Sequence, residues 1–309
     1  MWLPAQVDLK LTHDYQKWNN CGPVSLAVVT TYFGIPTDQY QAAAEVKGGE
    51  FDKNVGSMEM QSYLERAGLR AMTRVNGSQE EIMRLVAAKI PVIVQQWLLK
   101  PDNELVGHYR VVQGYDQRAG VFITSDPYTP PHKLYSFADF ERFWQPWNHR
   151  YIVAFRPEQE ADVRQALGAD YGEERNLANA MQATSESIAG NANDPYSYFS
   201  LGDDRLAGGD APGALTAYDK AFALGMLPHF AWYNFGPYEA LYQTGNYQRI
   251  LDLSAPVLKD ANKVEEIHYW RGRAWLGLGH KEKAKAELAL AVQLNAHYAE
   301  AKALLASLQ

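Results

Sequence analysis

The sequence contains one cysteine, Cys21, so it forms no internal disulfide and builds no zinc site from several thiolates. It has no run of Lys or Arg, and its net charge of -7 has the wrong sign for a phosphate backbone. Nucleic acid is therefore excluded as a partner, because phosphate binding needs surplus cations on one face. No apolar stretch approaches the roughly 20 residues that span a bilayer, and Met1 to Lys10 lack the basic-then-apolar order of an export signal. Met1 leads almost directly into domain-like sequence, which leaves room for a leader or anchor ahead of it. The compartment therefore stays open between extracytoplasmic and cytoplasmic. His13, His132, His149, His229, His268, His280 and His297 fall in no metal-ligand spacing, so neither a metal nor another cofactor is expected.

What is present is ordinary globular protein, with hydrophobic residues at 47% and charged residues at 21%. A chain of 309 residues holds two domains of usual size, each with its own core. Residues 1–156 mix helix and strand patterns, whereas 157–309 read as helix almost throughout. Pro157 marks the expected boundary, since it ends a strand and can open a helix.

In the first part, Val24, Ala27, Val28, Thr31 and Tyr32 fall on one helix face, with Asn20 at the N-cap position and Gly34 at the stop. Cys21 thus opens a buried helix. A second helix is expected over Ser57 to Ala67 and a third over Ser78 to Lys89, where Ser78 and Glu81 form a capping box. Four strands follow, at Pro91 to Trp97, His108 to Tyr115, Val121 to Asp126 and Tyr151 to Phe155, with a hairpin loop at Asp116 to Gly120. Helices followed by a largely antiparallel sheet indicate an α+β domain.

The second part repeats itself. Gly209, Gly245 and Gly279 recur at intervals of 36 and 34 residues, where paired antiparallel helices would turn. Gly202, Ala214, Tyr218 and Ala221 occupy the same offsets as Gly272, Ala284, Leu288 and Ala291. This is the pattern of a tetratricopeptide-repeat (TPR) solenoid. The middle unit is irregular, with Pro237 and Pro256 expected to interrupt its helices. Residues 158–190 are expected to form a degenerate leading pair, and His297 to Leu308 a terminal capping helix. An unrelated helical bundle is the plainer alternative. Trp232, Tyr233, Tyr238, Tyr242, Trp270 and Trp275 are expected mostly in contacts between helices, with a few lining the groove.

A thiol nucleophile needs an imidazole partner, a group to orient that imidazole, and donors for an oxyanion. Cys21 sits at a helix N-terminus, which lowers a thiol pKa. His108 opens an apolar strand beyond Gly107, Asp126 ends the next strand, and Gln16 lies five residues before Cys21. Each also has a plain reading: an inert core thiol, a structural histidine, a turn aspartate and a surface glutamine. Asp116 competes with Asp126 as the orienter.

Together these segments resemble a known family. Gln16 to Gly34, around Trp18-Asn19-Asn20-Cys21-Gly22-Pro23, looks like the nucleophile segment of the double-glycine leader (bacteriocin-processing) peptidases and their free-standing relatives. Gly107 to Asp116 resembles that family's histidine strand, and Ser125-Asp126-Pro127-Tyr128 its Asp-Pro segment, so the likeness runs from residue 10 to about 155. The resemblance implies a papain-like fold with Cys21 as nucleophile, His108 as general base and acid, Asp126 as orienter and Gln16 as side-chain oxyanion donor. The arrangement is also similar to bacterial proteins that join this peptidase to TPR repeats. The chain is accordingly expected to be an α+β papain-like cysteine peptidase domain followed by an all-α TPR solenoid. It would cut a peptide or protein substrate, with a protein partner or substrate held on the TPR groove. Gly-Gly specificity does not follow, because no transporter domain is present. Two other readings stay open: a catalytically weak, peptidase-like protein-binding module, and a transglutaminase-like acyltransferase working through the same thioester.

Overall fold

The computed structural model describes residues 3–17, 19–49, 52, 54–226 and 228–308. Trp18 of the cysteine motif and the side chain of His229 lie outside the described residues. The chain divides into two compact units. The first comprises residues 1–46 and 56–183, and the second residues 47–55 and 184–309.

The first unit is built on β1 (Gln6–Asp8), α1 (Cys21–Tyr32), α2 (Gln39–Val46), α3 (Ser57–Arg66), β2 (Arg70–Arg74), α4 (Gln79–Ala87), β3 (Val92–Leu99), β4 (Leu105–Asp116), β5 (Val121–Ser125), β6 (Lys133–Ser136), α5 (Phe137–Trp144), β7 (Tyr151–Phe155) and α6 (Glu160–Leu167). The strands form one seven-stranded sheet in the order β2-β7-β3-β4-β5-β6, with β1 paired to β4, and every pairing is antiparallel. The capping box of α4 is present: Ser78 Oγ accepts the Glu81 amide at 3.2 Å, and Glu81 Oε2 accepts the Ser78 amide at 2.8 Å. In the β4–β5 hairpin, Asp116 Oδ1 accepts the amides of Arg118 and Ala119 at 2.9 and 3.0 Å. Asp116 is thus a turn residue, away from His108.

Alternation along the strands explains the core. Val92, Val94, Val112, Phe122 and Val153 share a sheet face buried against Ile82, Leu85 and Val86 of α4, Phe140 and Trp144 of α5, and Val163 and Ala166 of α6. This packing moves the division of the chain. Pro157 opens a single 3-10 turn inside the first unit, because α6 closes that unit's core. The helix expected to lead the repeats instead covers the sheet.

The second unit is all-helical. The division at Ala183/Thr184 falls within α7 (Glu173–Gly190), which is followed by α8 (Pro195–Ala207), α9 (Ala211–Ala223), α10 (Gly236–Gln243), α11 (Tyr247–Asp260), α12 (Glu265–Gly277), α13 (Lys281–Leu294) and α14 (Ala299–Ala306). Helices α8 with α9, α10 with α11 and α12 with α13 are the three TPR-like pairs. The turn glycines Gly209, Gly245 and Gly279 all have positive φ, between 72° and 82°. Gly202 shows why the repeat wants a small residue: a Cβ there would come within 2.4 Å of the Tyr218 ring. The middle pair is more regular than expected. Pro237 lies in the first turn of α10, where its missing N–H costs nothing, and α11 runs continuously through Pro256. Tyr238 and Trp270 are buried in the core of this unit.

Candidate active site

The register of the sheet brings the site together. Gln96 pairs with His108 and Val94 with Arg110, while Val111 faces Ser125, so Asp126 emerges from β5 abreast of Arg110. His108 and Arg110, two residues apart, share one strand face. His108 lies inside β4 instead of at its start, three residues beyond the first.

Cys21 is the first residue of α1 and is partly exposed. Asn20 occupies the N-cap position without a side-chain capping bond. Its amide instead donates to Gln39 Oε1 at 3.3 Å. Gln39, at the start of α2 and 2% exposed, fastens the approach to the cysteine. Its Oε1 also accepts the Lys17 amide at 2.9 Å, and its Nε2 donates to Asp14 Oδ2 at 2.6 Å and to the Tyr15 carbonyl at 3.0 Å. Asn19 turns the chain into the helix with φ of 59°. These bonds hold Cys21 without using its own side chain.

His108 is buried, and its Nε2 lies 2.8 Å from Asp126 Oδ1. Cys21 acts on the same ring, favouring its charged form. Burial by itself raises the Cys21 thiol pKa. The hydrogen bond and charge of His108, with the amides of Tyr109 and Gly22, outweigh it and bring the thiol below its ordinary value. For His108 burial works downward, but Asp126 and Cys21 favour the imidazolium and raise its pKa. Asp126 is fully buried; burial would raise its pKa, yet His108, Arg110 and the Tyr128 amide hold it far below the usual carboxylate range.

Asp126 has further partners that the sequence did not advertise. Tyr135 from β6 donates its hydroxyl to Oδ2 at 2.9 Å, and the Tyr128 amide donates to Oδ1 at 3.0 Å. Arg110 Nε lies 3.1 Å from Oδ2, an ion pair whose N–H does not align as a hydrogen bond. The Arg110 guanidinium sits 4.4 Å from the centroid of the Tyr135 ring. Arg110 was hidden as one residue of an apolar strand, and Tyr135 lies in β6, too short a strand to show a period.

Gln16 is tied to the same corner through its backbone, its amide donating to the Pro127 carbonyl at 2.9 Å. Its side-chain Oε1 is buried and accepts no hydrogen bond among the described residues. Among the described residues no cluster of three or more His, Cys, Asp or Glu could hold a metal, and no helix is long and apolar enough to cross a membrane.

A buried imidazole between a partly exposed thiol and an ionised carboxylate, in an antiparallel sheet with the thiol at a helix start, is the arrangement of a papain-like domain. Residues 5–152 match the Peptidase_C39 like family. That match covers just under half of the chain and ends within β7. No curated protein matches the chain. Among solved structures, a C39-like peptidase from Bacillus anthracis is similar at 18% identity with a TM-score of 0.42, covering 49% of this chain and 98% of its own. A double glycine motif protease from the AMS/PCAT transporter, in complex with the leader peptide, is similar at 18% identity and a TM-score of 0.36, with 48% and 93% covered. MamA 41-end from Desulfovibrio magneticus RS-1 is similar at 22% identity and a TM-score of 0.40, with 43% and 74% covered. The stretch that matches this family is the α+β part of the chain, and the helices after it form the TPR-like pairs.

Proposed function

We propose that the C39-like domain is a cysteine endopeptidase and that the helical repeats recruit its peptide or protein substrate, or a partner protein. The observation that carries this reading is the partly exposed lone thiol at the start of α1, its charged form favoured by a buried His108 whose Nε2 is 2.8 Å from Asp126. Cys21 gives its proton to His108 Nδ1, and the thiolate attacks the substrate carbonyl carbon. The resulting oxyanion is received by the Cys21 backbone amide and the Gln16 side chain. His108 then protonates the leaving amine, and afterwards takes a proton from the water that cleaves the thioester. Asp126 keeps the imidazole in the tautomer and orientation that both transfers need.

Incubating host-cell proteins with the native chain and with Cys21→Ala, then comparing new peptide termini by mass spectrometry, tests the proposal. New termini confined to the native sample support it. Identical sets from both would favour the protein-binding reading, and incorporation of an added amine at the cut positions would favour acyl transfer. On a substrate found this way, Gln16→Ala should lower turnover by about a hundredfold or more, the usual loss for one oxyanion donor, while Cys21 still alkylates as in the native protein. An unchanged rate would remove Gln16 from the mechanism.

A further inference from the structure

We propose that Arg110 is a positioning residue of the Cys21–His108–Asp126 triad, a permanently charged second partner that keeps Asp126 ionised and fixed whether or not His108 carries its proton. The inference rests on the peptidase reading above and extends it to a fourth charge.

The two oxygens of Asp126 are divided between two cations. Oδ1 takes His108 Nε2 and the Tyr128 amide, at 2.8 and 3.0 Å, and Oδ2 takes the Tyr135 hydroxyl and faces Arg110 Nε, at 2.9 and 3.1 Å. Arg110 cannot swing away from this pairing. Its Nη1 donates to Gln96 Oε1 at 2.7 Å and its Nη2 to the Trp97 carbonyl at 3.3 Å, while Gln96 Nε2 donates to the Phe140 carbonyl of α5 at 2.8 Å. Arg110, Gln96 and Asp126 are all 0% exposed, so the pair is shielded from bulk solvent.

The charge count explains why a second cation is useful there. A buried carboxylate beside a neutral imidazole would be an uncompensated anion and would take up a proton. With Arg110 in place, the cluster is neutral when Cys21 is a thiol and His108 is neutral. It is neutral again after the proton has moved from Sγ to Nδ1. The transfer that activates the nucleophile therefore leaves no uncompensated charge in the buried site. Because arginine keeps its charge throughout the working range, the carboxylate does not follow the histidine's titration. The other ionisable groups facing this cluster are Tyr135 from β6, Tyr109 from β4, whose charged form Cys21 disfavours, and the partly buried His13 of the N-terminal segment, whose pKa burial lowers although Asp126 favours its charge.

The test is the pH profile of Cys21 alkylation by iodoacetate. This anionic reagent is helped by the imidazolium, so its rate rises as the thiolate forms and falls as His108 loses its proton. The native chain should give such a bell. Arg110→Met leaves Asp126 uncompensated, so His108 holds its proton more tightly and the upper limb should move up by about one pH unit. Arg110→Lys retains the charge and should leave the limb near its native place. Should Arg110→Met not fold, Tyr135→Phe carries the test: it keeps every charge and the ring under Arg110 but removes one donor from Oδ2, and should move the limb upward by a few tenths of a unit. A purely structural role for Arg110 would lower the yield of folded protein without moving either limb. A native bell whose upper limb stays put in Arg110→Met, or in Tyr135→Phe if that variant carries the test, overturns this inference and spares the peptidase reading. A native profile with no bell overturns that reading and the inference with it.

Discussion

His108→Ala should move the pH midpoint of Cys21 alkylation upward, to the free-thiol value of about 8.5 or above. In the native chain, burial raises the thiol pKa and is outweighed by the hydrogen bond and charge of His108, with help from the Tyr109 and Gly22 amides. Deleting the imidazole removes the largest of the opposing contributions and leaves burial, which favours the neutral thiol. A free cysteine has a pKa of about 8.5 and is well under 1% thiolate at pH 6, whereas a histidine-paired one can lie near 4. The midpoint is the quantity to follow, because a thiolate of lower pKa is also intrinsically less nucleophilic, so a rate at one pH understates the change. The measurement is alkylation by neutral iodoacetamide between about pH 4 and 10, read by intact mass. A native midpoint as high as that of a free thiol would remove Cys21 from catalysis, and the protein-binding reading would take its place.

Asp126→Asn should cost about 3–5 kcal/mol of stability, the usual penalty for breaking a buried ion pair by removing one partner. Against a total of about 5–15 kcal/mol for a typical domain this is a severe loss. Arg110 would be left buried without its anion, and Tyr135 would lose the acceptor of its hydroxyl. The pH dependence has a definite sign. Asp126 is depressed, so its contribution is present above the unfolded carboxyl value of about 3.9 and is lost only as pH falls through its folded value. His108 is raised, so its contribution is complete below about pH 6.5 and is lost as pH rises through its folded value. The gap between native and Asp126→Asn should therefore be widest between about pH 4 and 6.5 and narrow above that, leaving the part held by Arg110. Urea denaturation at several pH values measures it. A gap under about 1 kcal/mol at pH 6 would mean that the carboxylate does not hold this network together. In the same variant the Cys21 alkylation midpoint should move less than in His108→Ala, since the imidazole is still present.

Much of the site could be read from the sequence because its chemistry is carried by local features. A lone cysteine at the head of an apolar helix, a histidine on an apolar strand and an aspartate before a proline are each short-range signals. His108 and Asp126 come into hydrogen-bond contact, and Cys21 comes within electrostatic reach of His108, although 18 and 87 residues separate these pairs in the chain. The partners of Asp126 could not be read in this way. Arg110 looks like an interruption of a hydrophobic strand until the antiparallel register sets it abreast of Asp126 and over the Tyr135 ring. Gln39 is likewise unremarkable until its amide is seen holding Lys17, Asn20, Asp14 and Tyr15 ahead of Cys21.

The sequence by itself determined the α+β half, the helical repeats with their positive-φ turn glycines, and the exclusion of disulfides and thiolate-rich metal sites. These depend on periodicity, on glycine's freedom at turns and on counting cysteines, all of which act within a few residues or on composition. Only the tertiary structure decided where the first unit ends and what surrounds the carboxylate. Pro157 marks a change of local pattern, but α6 beyond it buries Val163, Ala166 and Leu167 against the sheet, and burial outweighs a turn signal in fixing a boundary. The charge state of Asp126 likewise depends on His108, Arg110 and Tyr135, which reach it from two neighbouring strands. Such a balance of desolvation against distant charges exists only once the chain has folded.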